Sequence, residues 1–273
     1  MEPKHIAVTG AFDDPRSRDL RFLEEASKRG PLTVLLWSDE AVESATGRRP
    51  KFPLAERLYF LNAVRYVSRV LPVAGAVRPD ALPAAAGFRA DVWADAPSDA
   101  TEARRAFCQA HGLEHWVLAP ERLRGFPAPE VPAAPSHRKK VIVTGCFDWL
   151  HSGHVRFFEE TSGYGDLYVI VGHDANIRLL KGGGHPLLPQ EERRYLVGSI
   201  RYVTGALVSS GEGWLDAAPE IQRLQPDIYA TNEDGDKGGK RDYCREHGIE
   251  YLVLKRAPAP GLAPRTSTDL RGF

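Results

Sequence analysis

Residues 140–160 read KVIVTGCFDWLHSGHVRFFEE, and the elements predicted for them set the architecture of the surrounding chain. The β-branched run 141–143 predicts a buried strand, Gly145 ends it, and an apolar periodic segment that starts near Val155 predicts a helix. A helix that begins just after a strand presents unpaired backbone N–H groups and the positive end of its dipole to one point. The stretch therefore predicts an anion site, suited to phosphate, between the strand and the helix.

Two histidines flank that point. His151 and His154 stand three residues apart at the predicted helix start, so their imidazoles can face the same way. Gly153 between them has no side chain to keep a ligand off the backbone. A chance pair in a turn and a zinc site are the alternatives, but no nearby cysteine or carboxylate completes a tetrahedral zinc set at a usual spacing. Neutral imidazole donors at a helix start favour a cradle for phosphate.

At these residues the chain resembles the His-x-Gly-His nucleotidyltransferase superfamily, and FDWLHSGHVRFFEE at 147–160 looks most like its cytidylyltransferase branch. The resemblance implies a Rossmann-like fold and transfer of CMP from CTP to a phosphorylated small molecule, a phospho-alcohol or a sugar phosphate. Pyrophosphate leaves, and Mg²⁺ accompanies the nucleotide. ATP is the alternative donor, because the triphosphate cradle is common to the superfamily. A non-catalytic nucleotide sensor or scaffold is the alternative from another class.

Composition excludes several classes of protein. The 273 residues carry 36 basic and 36 acidic side chains, so no net positive field indicates a nucleic-acid or membrane partner. The chain has no apolar run of membrane-spanning length, and MEPKHIAVTG enters a predicted strand directly instead of offering a signal series, so we expect a cytoplasmic protein. Three cysteines without a paired spacing do not make a disulfide framework.

A second copy of the pattern lies earlier in the chain. KHIAVTGAFDDPRSRDLRFLEE from Lys4 aligns without a gap over KKVIVTGCFDWLHSGHVRFFEE from Lys139. With one residue inserted, the alignment continues to the Cys-x-x-His-Gly segments of both copies. We interpret the chain as an internal duplication, with domains at 1–126 and 139–273 and a stiff Pro/Ala-rich linker at 127–138.

Strand and helix signals alternate in each copy. In the second copy we predict strands near 140–145, 167–172, 203–208, 227–231 and 249–254, and helices near 153–163, 174–180, 190–200, 213–224 and 237–247. This alternation predicts an α/β fold of two tandem Rossmann-like domains, each a doubly wound parallel sheet. Ligands in such sheets bind beyond the carboxyl ends of the strands. We place Trp214 in the core.

The copies differ where the chemistry is predicted. Arg16 and Asp19 replace the two histidines in the first copy, and Asp19 would repel a phosphate at that helix start. Thr46 stands where the second copy has Lys181. We therefore predict one working site, at 139–273, and a degenerate first domain that has the fold without the chemistry.

Two further segments supply predicted phosphate ligands. Lys181 precedes three glycines in RLLKGGGHP, and the cytidylyltransferase pattern carries a lysine here that contacts the phosphates; a solvated surface lysine is the alternative. Arg265 and the hydroxyls at 266–268 resemble the family's closing Ser-Thr-Thr or Ser-Ser-Thr motif, which binds the β and γ phosphates, although the order here is Thr-Ser-Thr. A plain helix cap with Asp269 is the alternative. The predicted catalytic set is His151, His154, Lys181 and Arg265.

The predicted nucleotide-binding residues lie around the same turn and at a neighbouring strand end. Asn232 and Asp234 follow a strand where a base or ribose could be bound, although turn chemistry alone also favours the NEDGD run. We expect the nucleotide phosphates to hold most of the Mg²⁺ coordination, with Asp148 or Asp174 as the protein candidates. The alternative is a structural role, because the first copy has Asp13 and Asp39 at the aligned positions. The full set is Thr144, Gly145, Cys146, Phe147, Gly153, Asn232, Asp234, Thr266, Ser267 and Thr268.

Arg-Tyr-Val segments recur at 65–67 and 201–203. Single-copy members of the resembled family dimerise around such a segment, so we expect the two copies to form an internal pseudo-dimer about a pseudo-two-fold axis. The alternative is that the segment merely begins a strand in each domain. Further oligomerisation is left open.

Overall fold

The structure, a computed structural model, describes residues 3–127 and 136–271. They belong to two compact units, Met1–Gly125 and Phe126–Phe273. Most of the predicted linker, residues 128–135, lies outside the described residues. Phe126 belongs to the second unit because its ring packs on Tyr195 with 5.6 Å between ring centroids. The roles assigned to the two domains stay a prediction.

The first unit is a five-stranded parallel sheet with interleaved helices. Its strands are β1 (Ile6–Gly10), β2 (Leu32–Trp37), β3 (Arg69–Val73), β4 (Val92–Asp95) and β5 (Glu114–Val117). Its helices are α1 (Ser17–Ser27), α2 (Asp39–Thr46), α3 (Leu54–Ala63) and α4 (Glu102–His111). The strand order is β3-β2-β1-β4-β5, so the order reverses beside β1.

The second unit repeats this architecture. Its strands are β6 (Lys140–Gly145), β7 (Asp166–Val171), β8 (Val203–Val208), β9 (Ile228–Asn232) and β10 (Glu250–Leu254). Its helices are α5 (Ser152–Ser162), α6 (Asp174–Lys181), α7 (Gln190–Gly198), α8 (Ala218–Leu224), α9 (Lys240–Glu246) and α10 (Ser267–Arg271). The strand order β10-β9-β6-β7-β8 confirms the predicted α/β, doubly wound fold class.

The two sheets also share their register at the point of reversal. Ile6 pairs with Val92 in the first unit, and Val141 pairs with Ile228 in the second. The strands have apolar residues on both faces because helices cover a parallel sheet from both sides. Among the described residues, no helix is both long and apolar enough to cross a membrane.

One predicted helix is broken. Residues 213–224 form a short 3-10 turn, Gly213–Leu215, and then α8, which has a proline in its first turn. The prediction that Trp214 lies in the core is wrong, since its side chain is 53% exposed. Instead its ring covers a loop, and a Cβ atom on Gly239 would approach that ring to 3.1 Å.

Candidate active site

A cavity of about 370 Å³ lies where the strand order of the second unit reverses, between the carboxyl ends of β6 and β9. This is the crevice in which doubly wound sheets bind ligands. The predicted site residues line this cavity, with the exceptions of Arg265 and Asp174. Six further residues line it that the sequence did not single out as ligands: Phe157, His185, Thr231, Gly235, Lys240 and Arg256.

His151 is the N-cap of α5 and lies almost wholly buried. Its Nδ1 accepts a hydrogen bond from the Gly153 backbone N–H at 3.1 Å, so the neutral ring carries its proton on Nε2. That Nε2 is buried and has no partner among the described residues. A Cβ atom on Gly153 would lie 3.0 Å from the His151 ring, so any other residue here would crowd the imidazole. From the sequence alone, the only role predicted for Gly153 is to leave the backbone open to a ligand.

His154 lies directly beside it. The two imidazole centroids are 4.0 Å apart, and the ring of Phe147 meets His154 at 5.4 Å in an edge-on arrangement. Phe147 adopts a positive φ of 51° that folds its ring over Gly145, where a Cβ atom would lie 2.8 Å from it. The Nδ1 of His154 is also buried without a partner among the described residues. Two unsatisfied imidazole nitrogens therefore lie at one wall of the cavity.

Both imidazoles are neutral at ordinary pH. Burial lowers the pKa of His151 to about 2, with further lowering by the charges of His154, Arg256 and Arg265. Burial likewise lowers the pKa of His154 to about 3, helped by Arg256 and Lys181. Cations thus surround the two rings, and this environment favours an anion in the cavity.

The cations reach the cavity from three segments. Lys181 is the last residue of α6 and is exposed, and the glycine that follows it has a positive φ of 90°. Arg265 lines an adjoining groove. Arg256 lines both that groove and the cavity. Arg256 forms an ion pair with Asp234, and its Nη2 donates to the backbone carbonyl of Arg265 at 3.0 Å. Continuing the internal alignment past β10 would have identified Arg256, because Pro120 occupies the aligned position.

The hydroxyl run is held in the same wall. Thr266 donates from Oγ1 to Asp269 at 2.6 Å and accepts from the Asp269 backbone N–H, as the alternative cap interpretation expected. Ser267 donates from Oγ to the carbonyl of Trp149 at 3.3 Å. At the end of β6, Thr144 Oγ1 and Tyr229 OH share a hydrogen bond of 2.7 Å.

Asp148 and Asp174, the candidate metal ligands, both accept hydrogen bonds from the protein. Asp148 is buried, and its carboxylate accepts from the backbone N–H groups of Leu187 and Leu188 at 2.8 to 2.9 Å. Asp174 accepts from Arg193 at 2.7 Å. Within residues 3–127 and 136–271, no group of three or more His, Cys, Asp or Glu side chains could hold a metal. Both carboxylates therefore anchor loops of the site.

A buried arginine whose role sequence reasoning missed joins these loops. Arg193 is fully buried and donates to the carbonyls of Leu188, Cys146 and Gly172 at 2.7 to 2.9 Å. Arg57 makes the corresponding set of bonds in the first unit. The Glu-Arg pair recurs at aligned positions of the two copies, which could have indicated a structural arginine. An arginine within a helix is usually exposed, however, so the pattern alone does not predict that it is buried.

The first unit has a cavity of about 340 Å³ at the equivalent strand ends, but its lining is acidic. Asp19, Asp95 and Asp99 line it together with Arg18. Burial raises the pKa of Asp19 and also that of Asp95. This cavity disfavours a polyphosphate, in contrast to the cavity of the second unit.

Comparisons with known proteins identify the family. A family model described as cytidylyltransferase-like matches residues 142–267. FAD synthase of Ferroglobus placidus is 37% identical over 120 residues, which cover 43% of this chain and 75% of the relative. The bifunctional protein HldE of Pseudomonas syringae pv. syringae is 33% identical over 190 residues, 67% of this chain but 37% of the relative, so the chain spans little more than a third of that protein. The chain belongs to the cytidylyltransferase-like family of nucleotidyltransferases.

Proposed function

We propose that the second unit transfers a nucleotidyl group from a nucleoside triphosphate to a phosphorylated small molecule, a phospho-alcohol or sugar phosphate, and releases pyrophosphate. The observation that carries this proposal is the buried, unpartnered Nε2–H of His151 beside His154 at the start of α5. A buried donor without a partner costs about 1–3 kcal/mol. A phosphate oxygen in the cavity would recover that free energy, and Lys181 and Arg256 would neutralise its charge.

The reaction needs no covalent intermediate with the protein. An oxygen of the acceptor phosphate forms a bond to the α-phosphorus, and the bond from that phosphorus to the oxygen bridging to the β-phosphorus breaks. The acceptor phosphate is already ionised near neutral pH, so no general base is required. Neutral imidazoles suit this task, because each can donate to a phosphate oxygen without exchanging a proton with it. His151, His154, Lys181 and Arg265 then act by positioning and by stabilising charge.

We propose CTP as the nucleotide, on the strength of the cytidylyltransferase-like sequence around the two histidines. ATP is the second candidate, and a specific observation favours it: one relative is an FAD synthase, whose named product contains adenine. We propose that Mg²⁺ enters with the triphosphate as part of the substrate, because the Asp148 carboxylate and one oxygen of Asp174 already accept hydrogen bonds from the protein.

We further propose that the first unit carries no chemistry of its own. Its acidic cavity and the absence of both histidines from the aligned positions support this assignment. The internal pseudo-dimer stays a prediction. It requires that residues 136–273, expressed alone, self-associate or lose activity, and a monomeric, stable and fully active fragment would contradict it.

Pyrophosphate release, measured side by side with CTP and with ATP, tests the proposal. Acceptors would be chosen by a thermal-shift screen of phosphorylated alcohols and sugars with nucleotide and Mg²⁺, since a bound ligand raises stability by mass action. We expect release with one acceptor class and a clear preference for CTP. Tight nucleotide binding without release for any stabilising acceptor would favour the sensor interpretation, and a preference for ATP would replace CTP with the second candidate.

A further inference from the structure

Lys240 is the cation of the cavity that neither the motifs nor the phosphate cradle explain. It is the first residue of α9, follows the loop after β9, and lines the cavity. Its Nζ donates to the carbonyl of Gly235 at 2.9 Å and lies 6.0 Å from the ring centroid of the buried Tyr229. The ammonium is thus held deep on the β9 side of the crevice.

The carboxylates nearest to this lysine are engaged elsewhere. Asp234 pairs with Arg256, and Asp236 accepts from Arg241 at 3.1 Å and from Tyr251 OH at 2.9 Å. In the described part of the chain, the one hydrogen bond of the Lys240 ammonium goes to Gly235. An ammonium has three donors, so two of them remain for a ligand.

The first unit shows what this position does when it serves the fold alone. Arg104 occupies the position aligned with Lys240 and forms an ion pair with Asp95 at 2.7 Å, while His115 binds the other oxygen of Asp95 at 2.8 Å. In the second unit Thr231 takes the place of Asp95, so the partner carboxylate is missing. Among the described residues, no carboxylate forms an ion pair with the Lys240 ammonium, although this lysine lies half-buried in a cavity.

Lys240 also lies apart from the phosphate cradle. The two imidazoles of the cradle lie at the start of α5, whereas Lys240 begins α9, after the loop that follows β9. If the phosphates of a nucleotide lie at the start of α5, its base or ribose lies on the β9 side of the crevice. On that side of the crevice, the two remaining N–H donors of the Lys240 ammonium can bind an acceptor oxygen of the ligand. Burial makes such a hydrogen bond stronger than it would be in water.

We propose that Lys240 selects the base by donating to the ring carbonyl oxygen of a pyrimidine. Cytosine presents such an oxygen at C2, and adenine has none. The inference rests on the proposed function and deepens it, because it names the residue that favours CTP over ATP at the same site.

Equilibrium binding of CTP and ATP, in Mg²⁺ and without acceptor, tests the assignment in wild type, Lys240→Met and Lys237→Met. Lys237 is an exposed lysine of the same loop and serves as the matched control. We expect Lys240→Met to weaken CTP binding about tenfold or more and to change ATP binding less than twofold, since one good base contact discriminates by about that much. Lys237→Met should bind both nucleotides as wild type does.

A change on the ligand keeps the test independent of folding. 2-Thio-CTP replaces the proposed acceptor oxygen with sulfur, a weaker acceptor, so wild type should bind it several-fold more weakly than CTP. Lys240→Met should not distinguish the two. Equal losses for CTP and ATP in Lys240→Met, or equal binding of CTP and 2-thio-CTP by wild type, would overturn the inference while leaving the proposed function intact. A wild-type chain that binds neither triphosphate would overturn the proposed function, and the inference with it.

Discussion

His151 is neutral in the folded protein and protonated below about pH 6.5 in the unfolded chain, so acid should destabilise the fold through it. Its folded pKa is lowered, so the unfolded state binds more protons and stability falls as pH falls below 6.5. We expect His151→Asn, which keeps an acceptor for the Gly153 N–H, to lose about 2 kcal/mol less stability between pH 7.5 and pH 5 than wild type. Denaturant unfolding at both pH values measures this. An unchanged difference would show that the imidazole is not held neutral.

Substitution of Asp148 tests whether its carboxylate anchors a loop or binds a metal ion. Its carboxylate accepts from Leu187 and Leu188, whereas an asparagine would turn an amide donor toward one of these N–H groups. We expect Asp148→Asn to raise KM for the nucleotide and to leave the half-saturating Mg²⁺ concentration unchanged. Asp13→Asn is the matched control, because Asp13 makes equivalent bonds to Lys51 and Phe52. A tenfold or larger rise in the Mg²⁺ requirement would assign the carboxylate to metal.

At the scale of elements, a buried arginine holds the loops after the first two strands of each unit. Replacing the buried Arg193 by methionine leaves three carbonyls and a carboxylate without their donor, at a cost of about 3–5 kcal/mol. We expect Arg193→Met to accelerate amide exchange around 144–148 and 186–189 and to abolish pyrophosphate release. Arg57→Met should loosen the first unit equally while retaining release at a temperature where both variants stay folded. Equal loss of activity in both variants would contradict a single working site.

The sequence could predict elements whose periodicity is strong, but not contacts that tertiary packing creates. The strand at 140–145 and the helix that starts beside His151 follow from β-branched runs and from the glycine between them, and the structure has both. Residues 213–224 contain a surface turn because Gly213 adopts a positive φ of 78°, a conformation that the apolar pattern does not reveal. Lys240 and Arg256 belong to no motif that the sequence resembles, and the fold alone brings them to the cavity.

At the scale of the whole molecule, two units share one topology and differ in the charge of their cavities. Introducing histidines at the aligned positions of the first unit should therefore not create nucleotide binding there. We expect Arg16→His combined with Asp19→His to leave nucleotide titration at one site per chain, since Asp95 and Asp99 still line that cavity. Two sites per chain in isothermal titration would show that the acidic lining is not what excludes the nucleotide.

If the second unit joins a nucleotide to a phosphorylated acceptor, the mass of the reaction product will reveal the adduct. The experiment incubates CTP, Mg²⁺ and an acceptor that stabilises the protein with wild type, His154→Ala or Asp19→Ala. The masses of the products are then measured by mass spectrometry. We expect a CMP–acceptor adduct and equimolar pyrophosphate from wild type and from Asp19→Ala, with the rate at least about a hundredfold lower in a folded His154→Ala. Adduct formation that survives His154→Ala, or that depends on Asp19, would show that the cavity of the second unit is not the site of the reaction.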